Sequence, residues 1–136
     1  VRRGLLLLAI AVAGCSSEKP PEPVDTGSRE AVTAFHTAAT SGDAARAYGL
    51  LDEASRRRVS AEQFAALARN YAKQVGFAAE HVQFHAWEEV GDRATAHVVL
   101  VGRTPGHARR YQDALTLRRE HDRWAIVLPA NFGRAK

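Results

Sequence analysis

The sequence predicts an α+β domain: three N-terminal helices packed on one face of a curved antiparallel β-meander. Two observations predict it. Up to Gly76 the apolar residues recur at helical spacing. Beyond it they alternate, and the turn dipeptides Gly91-Asp92, Pro105-Gly106 and His121-Asp122 divide the alternation into four strands. The chain has 136 residues, one domain's worth, with no internal repeat.

The first helix opens near Ser28. Val32, Phe35 and Ala39, with Ala31 and Ala38 beside them, form its apolar stripe, and Ser41-Gly42-Asp43 stops it. Asp43 caps a second, short helix carrying Ala47, Tyr48, Leu50 and Leu51. A third starts at Ser60, where Gln63 completes a capping box. Its buried side is Phe64, Leu67, Ala68, Tyr71 and Val75, and Gly76 suits a left-handed terminus. The strands follow at 79–88, 93–103, 108–120 and 123–128.

Hairpin loops with even residue numbers let the faces be followed across the sheet. One face collects His81, Gln83, His85 and Trp87, then Ala94, Ala96, Val98 and Leu100, then Tyr111, Asp113, Leu115 and Leu117, and last Trp124, Ile126 and Leu128. It is the more apolar face and should meet the helices. The other carries Val82, Phe84, His97, Val99, Val101 and Arg110. That face is too apolar for open solvent and predicts a subunit interface, or a protein partner, with Val82, Phe84, His97, Val99 and Val101 as contacts. The C-terminal segment 129–136 could instead fold over it, with Phe132 as anchor.

Before the domain stand two segments of another kind. Arg2-Arg3, the apolar run from Leu5 to Ala13 and the small residues before Cys15 have the layout of a secretory signal. The run is about half the ~20 residues that span a bilayer. Its ending resembles the lipobox of bacterial lipoproteins, which implies cleavage before a lipidated Cys15 and a membrane-anchored, extracytoplasmic protein. Ser16 in place of aspartate points to the periplasmic side of an outer membrane. Residues 1–14 are then the signal peptide, 15–28 the lipidated cysteine with its tether, and 29–136 the domain. Pro20, Pro21 and Pro23 among charged residues make the tether extended, about 40 Å over thirteen residues.

Composition excludes several classes. Cys15 is the only cysteine, so no intramolecular disulfide and no cysteine-type zinc site can form. The formal charge of +4 falls to +2 on loss of Arg2 and Arg3. Arg56-Arg57-Arg58, Arg109-Arg110 and Arg118-Arg119 read as solvated charge, and no nucleic-acid partner is expected. His81 and His85 would lie ~13 Å apart on a strand, too far for one metal ion. No Ser–His–Asp spacing, phosphate loop or paired-carboxylate motif is present, and no cofactor is expected.

The segments SGDAARAYGLLDEASRRRVSAEQFAAL, GDRATAHVVL and HDRWAIV resemble the nuclear transport factor 2-like superfamily, the cystatin-like α+β cone, and within it the small uncharacterised lipoproteins. The resemblance runs over residues 30–128 and implies a cone whose mouth receives small molecules. Ketosteroid isomerase uses acidic and tyrosyl groups there. By location the equivalents here are Tyr48, His85, Tyr111 and Asp113, without a catalytic motif that maps onto them; Asp113 could equally bond to an arginine such as Arg109. Three classes of function stay open: a non-catalytic binding or assembly module, a carrier or sensor of a small apolar ligand, and an isomerase- or hydrolase-like enzyme. The absence of a catalytic set favours the first.

Overall fold

Four hairpin-linked strands in the order β1-β2-β3-β4 make one antiparallel sheet, and helices that precede it in the chain cover one face. The computed structural model describes residues 24–135. Cys15, the signal segment and most of the tether lie outside them. The helices are α1 (Ser28–Thr40), α2 (Ala44–Gly49), α3 (Glu53–Arg58) and α4 (Ala61–Val75); the strands are β1 (His81–Val90), β2 (Arg93–Thr104), β3 (His107–Glu120) and β4 (Arg123–Val127). The α+β layout is as the sequence predicts, with one helix more. The segment of α3, EASRRR, has no apolar stripe. It forms because Asp52, itself buried, caps it through the Ser55 amide at 3.0 Å, and because Ser55 Oγ is fixed on the Leu128 amide. Among the described residues no helix is long and apolar enough to cross a membrane.

The predicted signals act where they stand. Ser60 and Gln63 form both halves of the capping box on α4, and Gly76 ends it at φ 83. At the β3–β4 turn His121 and Asp122 both adopt positive φ, the pairing that joins twisted strands tightly. On the far side of β4, where an open strand edge would invite pairing, Leu51 bridges Ile126, and the Asp52 amide donates to the Ile126 carbonyl at 2.8 Å.

Val32, Phe35, Phe64, Leu51, Leu100, Leu117 and Ile126 are the centre of the core between sheet and helices. Trp124 and Ile126 face it, as the alternation predicts. In β1 the faces are reversed over the first half. Val82 pairs with Leu100 and Phe84 with Val98, both inward residues, while Ala86 pairs with His97; the register shifts between Phe84 and Ala86. This β-bulge adds one residue, His85, and a one-residue slip changes every side chain's face. Val82 and Phe84 therefore pack on the core, with the Arg29 guanidinium over the Phe84 ring at 4.9 Å. His81, Gln83 and His85 belong to the outer face. Of the predicted contact residues, His97, Val99 and Val101 stay there.

The chain enters the fold earlier than the expected start at residue 29. Thr26 donates to Glu89 through its amide, at 2.9 Å, and through its hydroxyl, at 2.8 Å. Ser28 donates to the same carboxylate. The indole N–H of Trp124 donates to Thr26 Oγ1, and that of Trp87 to Ser28 Oγ, each at 2.8 Å. Burial alone would raise the Glu89 pKa; these donors outweigh it and hold the carboxyl below its ordinary range.

Candidate functional site

Asp113 stands on β3 between Tyr111 and Leu115 and points toward the helices. Its partners come from two helices and not from Arg109. His36 of α1 approaches Asp113 Oδ2 through Nε2 at 2.9 Å, and the Tyr71 hydroxyl of α4 donates to the same oxygen at 2.6 Å. The Ala114 amide donates to Oδ1 at 2.8 Å. His36 is completely buried, and its Nδ1 faces the Val32 carbonyl oxygen at 3.0 Å. Both ring nitrogens thus stand at hydrogen-bond distance from an oxygen. The arrangement is a histidine–carboxylate pair with a tyrosine as third member.

Electrostatics follow from the packing. Burial by itself would raise the Asp113 pKa, but the hydrogen bonds from His36 and Tyr71, the His36 charge and the Ala114 amide outweigh it and hold the carboxyl below its ordinary range. Burial pushes the Tyr71 hydroxyl well up, and the Asp113 charge and hydrogen bond push it further. Tyr111 is shifted the same way, by burial and then by Asp113. A general base at neutral pH needs a raised carboxyl pKa and a free lone pair in reach of substrate. Asp113 has the opposite shift, and three donors occupy its oxygens. The cluster is built to be held in one state.

The mouth of the cone is closed by the chain's own C-terminus. Phe132 lies against Tyr71 at 4.6 Å between ring centroids, stacks on Phe64 at 5.6 Å and tilts against Phe35 at 5.8 Å. Gly133, at φ 64, brings the main chain so close to α4 that a Cβ there would collide with the Leu67 carbonyl oxygen. The Gln74 side chain donates to the Arg134 carbonyl at 2.9 Å. What remains beside Asp113, Tyr71 and Tyr111 is a cavity of about 60 Å³. That admits water, whereas organic ligands occupy sites of about 300 Å³ or more.

Of the four predicted cavity residues, Asp113 and Tyr111 line this remnant. Tyr48 points elsewhere. Its hydroxyl donates to the carbonyls of Arg56, at 3.1 Å, and Val59, at 2.9 Å, tying α2 to the end of α3. His85 is on the other side of the sheet because of the bulge. There it lines a hollow of about 280 Å³ with His97, Val98, Val99, Gln112 and Asp113. From sequence alone His36 reads as half-buried packing and Tyr71 as core. The local signals for a polar cluster are a histidine within the apolar stripe of α1 and an aspartate among inward residues of β3. A third hollow, about 330 Å³, lies between α1, α2 and α4, lined by alanines, Gly42, Arg69 and Lys73. Among the described residues no three His, Cys, Asp or Glu side chains are placed to share a metal ion.

Two solved structures have this architecture. The "Putative NTF2-like transpeptidase" of Campylobacter jejuni superposes with a TM-score of 0.61 at 14% identity, over 74% of this chain and 97% of that one. A SEC-C motif containing protein from Rhodopseudomonas palustris superposes with a TM-score of 0.57 at 16% identity, over 77% of this chain and 79% of that one. No protein-family model and no curated protein matches the chain. At these identities the likeness speaks for the fold and for no activity. Helices on one face of a four-stranded meander, closing a cone, are what these structures share, and the chain has the nuclear transport factor 2-like fold.

Proposed function

We propose that this protein is an extracytoplasmic lipoprotein, anchored through Cys15 at the periplasmic side of an outer membrane, whose domain is a non-catalytic binding or assembly module. One observation carries the second half of this reading. Phe132 fills the cone where a carrier or an enzyme of this shape would need its ligand. The occupied oxygens and lowered pKa of Asp113 agree with it, since they leave no group prepared for proton transfer. A module that binds a protein partner then works from its outer surfaces. The outer face of the sheet, where Val101 is partly exposed among Arg93, Arg103, Arg110 and Arg118, is one of them.

The two halves are tested separately. Mass spectrometry of the membrane fraction should find a chain that begins at a diacylated Cys15; an unmodified cysteine, or residues 5–13 still attached, would refute the anchor. For the module, a chain beginning at Asp25 is titrated with an apolar fluorescent dye such as anilinonaphthalene sulfonate. The parent should show no saturable site, and Phe132→Ala should gain one. Stoichiometric binding by the parent would instead establish the carrier reading.

A further inference from the structure

The bulge in β1 does something that the rest of the sheet does not. Elsewhere in β1 the outward residues are two apart, as in His81 and Gln83. At the bulge His85 and Ala86 together oppose His97 of β2. A bulge re-aims the extra side chain and sets it beside the residue it opposes. His85 and His97 accordingly line one hollow of about 280 Å³ on the outer face. Both are exposed, and in the sheet neither faces a helix. Ala86 is the residue paired with His97, and the extra residue His85 stands next to it in the chain. Two imidazoles bordering one hollow in this way can turn toward a single ion between them.

We propose that His85 and His97 form a surface site for a divalent transition-metal ion. Imidazole nitrogen selects copper, nickel and zinc over calcium and magnesium, and with two protein nitrogens the preference runs to Cu²⁺. No third His, Cys, Asp or Glu joins them among the described residues, so water completes the coordination. The Gln112 amide borders the hollow and can orient that water. The nearest outward charges are of both signs: Glu88, opposite Thr95, in one adjacent row, and in the other the Arg110 guanidinium, which donates to Gln83 Oε1 at 3.2 Å; Arg93 stands two rows away, at about 13 Å along the strand. Asp113 borders the same hollow, but its carboxylate is taken up by the His36 imidazole and the Tyr71 hydroxyl on the helix side of the sheet. The site adds a ligand to the binding module proposed above and does not depend on that reading.

The test is a Cu²⁺ titration of the untagged full chain in detergent, carrying Cys15→Ser so that a thiol cannot compete. Calorimetry should give one ion per chain at micromolar protein, and electron paramagnetic resonance should show coupling to two imidazole nitrogens. His85→Ala and His97→Ala should each weaken binding about tenfold or more and leave one coupled nitrogen. His81→Ala, one outward position further from the bulge than Gln83, should bind like the parent. Melting curves verify that each variant is folded, as expected for exposed side chains. Absence of binding at tens of micromolar Cu²⁺, equal loss in His81→Ala, or an unchanged affinity in either His85→Ala or His97→Ala would overturn the proposal.

Discussion

His36 and Asp113 are 77 positions apart and meet at 2.9 Å, the histidine wholly buried and the aspartate side chain 22% exposed. The pair joins α1 to β3 across the core, and Tyr71 brings α4 to the same oxygen. Asp113→Asn leaves the shape and removes the negative charge, so the buried His36 ring and the Tyr71 hydroxyl lose their charged partner. The expected loss is about 3 kcal/mol at neutral pH. Because the folded carboxyl is held below its ordinary pKa, its stabilisation is complete above about pH 4 and is lost as pH falls through the folded value. Urea midpoints between pH 7 and pH 2 should therefore fall less steeply for Asp113→Asn than for the parent. Parallel curves would show that the pair contributes nothing.

Tyr71 acts at the opposite end of the pH scale. Its folded pKa is raised, so the stability linked to it is fully present below about pH 10 and is lost above, where the unfolded chain ionises first. Tyr71→Phe should cost about 2 kcal/mol at pH 7, the worth of a hydrogen bond to a charged group. It should also flatten the alkaline loss. Tyr111, shifted the same way, will keep a smaller part of it.

The C-terminal plug predicts two graded effects. Phe132→Ala removes a ring held by Phe35, Phe64 and Tyr71 and should cost about 3–5 kcal/mol. Gly133→Ala leaves the ring in the chain but places a methyl where the Leu67 carbonyl already is, at a backbone angle that disfavours alanine. The segment has to lift away. Limited proteolysis should then cut between Pro129 and Arg134 in Gly133→Ala while the parent resists.

Where the domain begins can be measured directly. A chain starting at Asp25 keeps Thr26 and Ser28 and should fold with full stability. One starting at Arg29 loses the donors to Glu89 and the acceptors of both indoles. It should be less stable by about 2 kcal/mol, or roughly 10 °C in melting temperature. Trp124→Ala should cost about 3–5 kcal/mol in either chain. Equal melting of the two chains would place the boundary at residue 29.

Self-association is expected from sequence on a patch that includes Val82 and Phe84. With those two turned inward and Val99 only 5% exposed, the outer face keeps Val101 among arginines that a two-fold pair would set against themselves. Sedimentation equilibrium of the chain beginning at Asp25 should find a monomer at tens of micromolar. A dimer there would mean that Val101 and the polar residues around it suffice, and Val101→Glu should then dissolve it.

Local chemistry was legible in the sequence, and long-range partnership was not. Ser60 with Gln63, Gly76, and the three turn dipeptides each need only a few adjacent residues to act, so the ends of α4 and the hairpins could be read to within a residue or two. The inward faces of β2, β3 and β4 followed from strict alternation. In β1 the alternation breaks, and the break was visible: the large apolar residues step from Val82 to Phe84 by two and on to Trp87 by three. An extra residue between them is what that spacing demands. The site was less readable. His36, Tyr71 and Asp113 lie on three elements, and no spacing along the chain announces that they converge. Nor does the short segment 129–135 show by pattern that its single phenylalanine enters the cone. Its destination depends on the hollow left by α1, α4 and the sheet.

The fastening of Thr26 and Ser28 to Glu89, Trp87 and Trp124 also fixes a direction. These residues lie at the end of the sheet that carries the turns Gly91-Asp92 and His121-Asp122, and the chain enters the domain there. Whatever holds the N-terminal segment is thus addressed by that end, while the Pro105-Gly106 hairpin stands at the other. The twelve residues of β2 separate the two by about 40 Å. A pull on the residues before Thr26 would load the indole and carboxylate contacts before any strand of the sheet.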